Sequence, residues 1–291
     1  MKKKSSKIVI ILIFLAGLSL LLYPFIANQW NNHRQKQLIG NYESVISDKE
    51  AAGNIDYAAE MKKAEAYNDA LLPSILPDSF AVADASTETD SSYEDSLNIA
   101  GDGMMGIVEI PKIAIKLPIY HGTGDEVLQK AAGHLEGSSL PIGGESTHAV
   151  ISAHRGLPSA KLFTDIDQME IGDKFYIHVL DQVLAYQVDQ ILPMVDKDDH
   201  ETLDDAMKIE DGKDQVTLFT CTPYGVNSHR LLVRGTRVAY NGEEEATGSV
   251  ADSMLHSIQN YYMLYMILGI AVTVLLILIM KVVSGRKQRK K

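Results

Sequence analysis

One cysteine, one tryptophan and nine prolines in 291 residues set the first limits on this chain. A lone thiol, Cys221, cannot make an internal disulfide, so no disulfide framework holds the fold. No Cys/His cluster has metal-binding spacing, and no loop carries the spaced oxygen ligands calcium requires. Neither a metal nor another cofactor is therefore expected. No internal repeat is visible. Acidic residues are missing from both ends, since all 38 Asp and Glu lie between residues 29 and 262. Ten of the 27 Lys and Arg sit at those ends, leaving 17 against 38 in between, a balance of −21. So acidic a surface excludes nucleic acid as a partner.

What the ends have instead is apolar length. Ile8 to Ile26 is nineteen residues without a charge, preceded by Lys2, Lys3, Lys4 and Lys7. Met263 to Met280 is eighteen uncharged residues, followed by Lys281, Arg286, Lys287, Arg289, Lys290 and Lys291. Each approaches the roughly 20 residues a spanning helix needs. Both basic clusters lie on the outer side, so the positive-inside rule puts both termini in the cytoplasm and the middle outside. A cleaved signal peptide fits the first run less well, because the run is long and no small-x-small site precedes Ala27. A wall-sorting signal fits the second less well, because no Leu-Pro-x-Thr-Gly precedes it. An exported lone thiol is a liability unless it is buried or used.

Between the ends the composition shifts several times. Residues 1–28 read as cytoplasmic tail and first membrane anchor, and 29–72 as a helical segment that Gly40 and Gly53 break. Residues 73–103 have the Pro, Ser and Thr content of a linker. Residues 104–241 form the main domain, 242–262 a juxtamembrane stalk, 263–283 a second membrane helix and 284–291 a basic cytoplasmic tail. In the main domain, short runs bounded by Pro or Gly read as strands: Ile107–Ile110, Ile113–Ile119, His148–Ser152, Lys174–Val179, Val183–Gln187, Gln190–Val195, Val216–Thr220 and His229–Val238. Glu126–Ala132 and Leu157–Ile166 read as short helices. That pattern predicts an all-β barrel or sandwich.

Cys221 closes one of these strands, where Pro223 and Gly225 stop it, so its side chain is expected at a solvent edge with a fixed backbone. A nucleophilic thiol needs a base and a group to hold the oxyanion. His121, His134, His148, His154, His178, His200 and His229 are all candidate bases. His154 stands out because it also ends an apolar strand, before Arg155-Gly156-Leu157-Pro158. Arg230 and Arg234 share strand parity, so alternation alone cannot choose between them.

The stretch Thr217-Leu218-Phe219-Thr220-Cys221 with Arg230 resembles the Thr-Leu-x-Thr-Cys…Arg signature of sortases, the cysteine transpeptidases of Gram-positive bacteria. The resemblance runs from Ile107 to Val238 and includes Ile110-Pro111-Lys112-Ile113, Leu117 to Thr123, Gly133 to Pro141 and Ser152-Ala153-His154-Arg155-Gly156. With the second apolar run and the N-terminal loop it is similar to the class C, pilus-assembling branch. The resemblance implies a mostly β fold: an eight-stranded sortase barrel with N-terminal helices, a lid loop and a transmembrane helix at each end. It implies Cys221 as nucleophile, His154 as acid/base and Arg230 as stabiliser of the oxyanion or substrate backbone, leaving Arg234 to pair with surface carboxylates. The implied partners are pilin subunits with an LPXTG-like signal, cut between Thr and Gly, and an acceptor lysine. Class C sortases resemble one another in a loop bearing Asp-Pro-aromatic. Here Asp78-Ser79-Phe80 keeps the acid and the ring but replaces the proline, which loosens the loop. Asp78 is expected to pair with Arg230, and Phe80 to cover Cys221. The competing readings are a wall-anchoring sortase that uses a peptidoglycan amine, and a non-enzymatic exported binding module.

Overall fold

The computed structural model describes residues 2–71, 78, 80, 91–242, 267, 269–271, 273 and 274. The chain falls into two compact units, Met1–Pro24 with Gly248–Lys291, and Phe25–Thr247. The barrel and every candidate site residue belong to the second. The expected stalk, basic tail and most of the C-terminal apolar run lie outside the described residues, as do 72–77, Ser79 and 81–90 of the loop.

Helix α1 spans Lys2–Ala51 and α2 spans Tyr57–Ala70. Gly53 breaks them as expected, at φ +66°. Gly40 does not, because Ile39 and Tyr42 on either side of it are buried against Met104, Ile107, Tyr120 and Ala131 of the barrel. Packing there outweighs the ~1 kcal/mol that glycine costs a helix. Among the described residues, which leave out most of the C-terminal run, no helix is long and apolar enough to cross a membrane, so the expected transmembrane helix at each end is not shown. The first charge-free run is instead the N-terminal part of a 50-residue helix that continues into a polar stretch.

Within the expected linker, residues 91–97 are packed structure. Ser91–Asp95 forms a short helix, α3, with Tyr93 and Leu97 fully buried. The Tyr93 hydroxyl lies 3.0 Å from His134 Nδ1 and accepts from the Gly122 N–H at 2.8 Å. His134 Nε2 faces the Ser139 carbonyl at 2.8 Å and so carries the ring proton, leaving Nδ1 and the His134 carbonyl, each 3.0 Å from the Tyr93 oxygen, to share the hydroxyl proton.

Eight strands close a barrel in the order β1-β2-β3-β4-β7-β8-β6-β5. They are β1 Met104–Ile110, β2 Ile115–His121, β3 Ala132–His134, β4 Thr147–Ser152, β5 Lys174–Val179, β6 Gln182–Asp196, β7 Asp214–Thr222 and β8 His229–Val238. Pairs β2–β3 and β4–β7 are parallel and the others antiparallel. The two expected strands at 183–187 and 190–195 are one strand, β6, with irregular register between Val188 and Gln190 and again between Leu192 and Val195. A short helix, α4 (Asp125–Leu128), precedes β3, and α5 (His200–Met207) precedes β7.

No helix forms at 157–166. Pro158 opens a run of turns in which Leu162 takes a φ of +39°. Its backbone is held from outside: Asn28 of α1 accepts from the Lys161 N–H at 2.9 Å, and Asn31 donates to the Ser159 carbonyl. Only Ile166–Gln168 winds into a single 3₁₀ turn. Inside the barrel, Val108, Ile151, Phe175, Ile177, Leu184, Tyr186, Val216, Leu218, Leu231 and Val233 belong to one core. A second cluster covers the outer face of β4, β7 and β8, where Val150, Phe219 and Leu232 pack with Leu203, Ala206 and Met207 of α5.

Candidate active site

The two clusters fix which side of the barrel wall holds the chemistry. In β7, Val216 and Leu218 point into the barrel, while Phe219 packs in the outer cluster. Period-two alternation therefore puts Cys221 outward in the same row. Phe219 pairs with Ser152 of β4 and Leu232 of β8, and Cys221 pairs directly with Arg230. His154 follows two residues after Ser152. The three candidates thus extend one outward-facing row across the ends of three neighbouring strands.

Register decides between the two arginines where parity could not. Arg234 pairs with Thr217, four residues back along β7, and binds the Asp189 carboxylate at 3.1 Å and Glu210 at 3.0 Å. Arg230 is 5% exposed beside Cys221. Its Nε donates to Asp78 Oδ1 at 2.9 Å, and its Nη2 donates to Asp78 Oδ2. Nη1 donates to the carbonyls of Asn227 and His229, both at 3.1 Å.

The Phe80 ring stands over this group. Its centroid is 5.3 Å from the His154 ring and 6.0 Å from Phe219, and the Arg230 guanidinium carbon lies 5.3 Å from it. Asp78 and Phe80 thus occupy the face of the wall where a substrate would approach Arg230 and His154. A solvent-edge thiol was the sequence expectation; Cys221 is instead 5% exposed.

Burial has electrostatic consequences. It pushes the Cys221 thiol up to about 11; Arg230 pulls it down and Asp78 pushes it further up. Burial also lowers His154, against a weak opposing pull from Asp125. Both shifts favour the neutral forms, so at rest the pair is thiol and imidazole. Among the described residues, the buried His154 Nε2 has no hydrogen-bond partner. That nitrogen is free to exchange a proton with a group brought to it.

Two braces hold the strand ends together. The Thr220 hydroxyl donates to the carbonyl of Ala153 at 2.6 Å, fixing the residue before His154. Arg155 Nη1 donates to the Thr222 hydroxyl at 3.0 Å, next to Cys221, while its Nε donates to Thr164 O at 3.1 Å and Nη2 pairs with Asp167. Further down, the Thr217 hydroxyl meets His148 Nε2 at 2.8 Å. Both threonines of the Thr-Leu-x-Thr-Cys stretch therefore tie β7 to β4. Gly156, at φ +80°, lets the Tyr224 ring of the β7–β8 loop lie where a Cβ would be, with ring atoms 3.1–3.3 Å from that position. Thr220 and Arg155 were legible as parts of a motif, yet nothing in their spacing disclosed this cross-bracing.

The other candidate histidines have different surroundings: His200 opens α5, and His229 pairs with Thr222, next to Cys221. His134 and His148 are buried and bonded elsewhere. His121 bonds the carbonyls of Gly103 and Ser96. His178 pairs with Glu109 at 3.0 Å. His229 bonds Ser228.

Comparison with known proteins identifies similar chains. The sortase-domain family model matches residues 108–238. A sortase C of Streptococcus pneumoniae, described in connection with pilin substrate specificity, is 45% identical with a TM-score of 0.59, covering 70% of this chain and 97% of that one. The pilus-related sortase C of group B Streptococcus is 42% identical with a TM-score of 0.56, covering 67% and 96%. Among curated sequences, sortase D of Bacillus subtilis is 32% identical over 46% of this chain and 63% of its own length, so the match spans less than two thirds of that relative.

Proposed function

The chain belongs to the sortase family, and on that premise we propose that it is a cysteine transpeptidase that polymerises pilins. It cleaves an LPXTG-like sorting signal between Thr and Gly and joins the Thr to a lysine amine of the next subunit. The observation that carries this reading is the direct pairing of Cys221 with Arg230, with His154 ending the neighbouring strand. Pilus sortases among the similar structures support the pilin as substrate.

The steps follow from the neutral resting pair. As Cys221 Sγ bonds to the Thr carbonyl carbon, its proton passes to His154. The Thr–Gly C–N bond then breaks, and His154 gives that proton to the departing glycine amine, leaving a thioester. An incoming lysine amine bonds to the same carbon and loses a proton to His154. The C–S bond breaks, and the proton returns to sulfur. Arg230, with its fixed fork of donors, meets the oxyanion or the signal's backbone carbonyl.

In the resting state Asp78 occupies that fork and Phe80 shields His154, so signal binding must displace the loop. Tethering through Ile8–Ile26 and Met263–Met280, with both termini cytoplasmic, belongs to the same reading and rests on their charge-free length and flanking lysines. Incubating the protein with a candidate pilin and searching for intersubunit Lys–Thr bonds by mass spectrometry tests it. The bonds are expected with the native chain and absent with Cys221→Ala; a substituted chain that still forms them refutes the assignment.

A further inference from the structure

Trp30, the chain's one tryptophan, is 71% exposed on α1, and Ile26 one turn earlier is 60% exposed. Arg34, one turn later, is exposed too, with His33 and Gln37 beside it. Spacing of four residues puts Ile26, Trp30 and Arg34 on one helix face. The opposite face is already committed. There Asn28 and Asn31 bind the loop at 159–161, and Gln35, Ile39 and Tyr42 are buried. The helix is therefore docked on the barrel by one side, and its aromatic side is left outward.

Two observations say what covers that side. Along the face the order is aliphatic, aromatic, cationic, the order in which side chains pass from hydrocarbon through the interface to lipid headgroups. Between Ile26 and Glu43 no acidic residue occurs, whereas Arg34 and Lys36 do. In a chain whose central region carries −21, this is the stretch an anionic surface attracts.

We propose that the Ile26–Trp30–Arg34 face seats in the headgroup layer of an anionic membrane and holds the loop leaving His154 at that surface. The mechanical link is short. Ser159 and Lys161 hang on α1 beside Trp30, and the Phe163 N–H donates to the His154 carbonyl at 3.1 Å. The reacting end of the barrel then lies where a membrane-tethered signal leaves the bilayer. The inference builds on the tethering proposed above and is read out separately from it.

Because Trp30 is the sole tryptophan, its fluorescence reports the site alone. The full chain is reconstituted with phosphatidylglycerol–phosphatidylethanolamine vesicles, with lipids brominated either near the ester or at mid-chain. Quenching is expected to be strongest with bromine near the ester, with acrylamide excluded. Co-sedimentation with vesicles while acrylamide quenches Trp30 freely would overturn the inference and leave tethering standing; so would strongest quenching by mid-chain bromine. Failure to co-sediment would remove tethering and the inference together. Trp30→Ala is expected to slow cleavage of a lipid-anchored signal about fivefold while leaving a soluble peptide's cleavage unchanged. Equal effects on both substrates would refute the role.

Discussion

Burial, with the Asp78 charge adding to it, keeps Cys221 a thiol: with its value at about 11, about one molecule in ten thousand carries the thiolate at pH 7. Removing the cover lowers that value by readmitting water and by deleting the Asp78 charge. Asp78→Ala with Phe80→Ala is therefore expected to raise the rate of iodoacetamide alkylation at pH 7 by about tenfold or more, and to move its pH midpoint down toward 9. An unchanged rate would mean the loop shields nothing. Arg230 separates two effects. Arg230→Lys keeps a charge but loses the planar fork, so transpeptidation is expected to fall about a hundredfold. Alkylation of Cys221 should hold steady or quicken, because the bidentate hold on Asp78 is lost as well. Comparing the two rates in one variant distinguishes a damaged fold from a damaged site.

Strand ends are where the site is made rigid, and Thr220 is the clearest case. Thr220→Val leaves the buried Ala153 carbonyl without its donor, at an expected cost of about 1–3 kcal/mol in urea unfolding. Turnover should fall further than that loss of stability accounts for, since His154 is the next residue. The strands that carry the chemistry were readable because β4, β7 and β8 are β-branched, apolar and bounded by turn residues. Strand β3 was not, since Ala132-Gly133-His134 has no strand propensity and is set by its two neighbours. The missing helix at 157–166 has the same origin: side chains of α1, more than 120 residues earlier, supply its backbone partners. Helix α5 lies in a stretch rich in acidic residues to which the sequence reading assigns no element; Asp199 caps it and Leu203, Ala206 and Met207 give it a buried face. Within the site, Cys221 and His154 were legible from their stations at strand ends. The choice of Arg230 over Arg234 rested on resemblance, because register is invisible in a single strand.

At the scale of the whole molecule, buried histidines set an acid limit. Burial lowers His134 from 6.5 to about 4, and His148 and His154 shift the same way. A lowered value means the unfolded chain takes the proton more readily. The stability these residues confer is whole above pH 6.5 and is lost as the pH falls toward 4. For His134 alone the loss approaches about 3 kcal/mol. The urea midpoint is expected to drop steeply between pH 7 and pH 4.5, and Tyr93→Phe, which strips His134 Nδ1 of its donor, should lower it at pH 7 as well. The parallel pairing of β4 with β7 has one further consequence. Antiparallel neighbours can zip from a hairpin, but these two meet only after β5, β6 and α5 have been threaded between them. Arg230 arrives later still, on the last strand. A chain emerging during synthesis therefore has Cys221, His154 and Arg230 brought together only when the barrel is nearly complete, and a product truncated before β8 lacks Arg230 altogether.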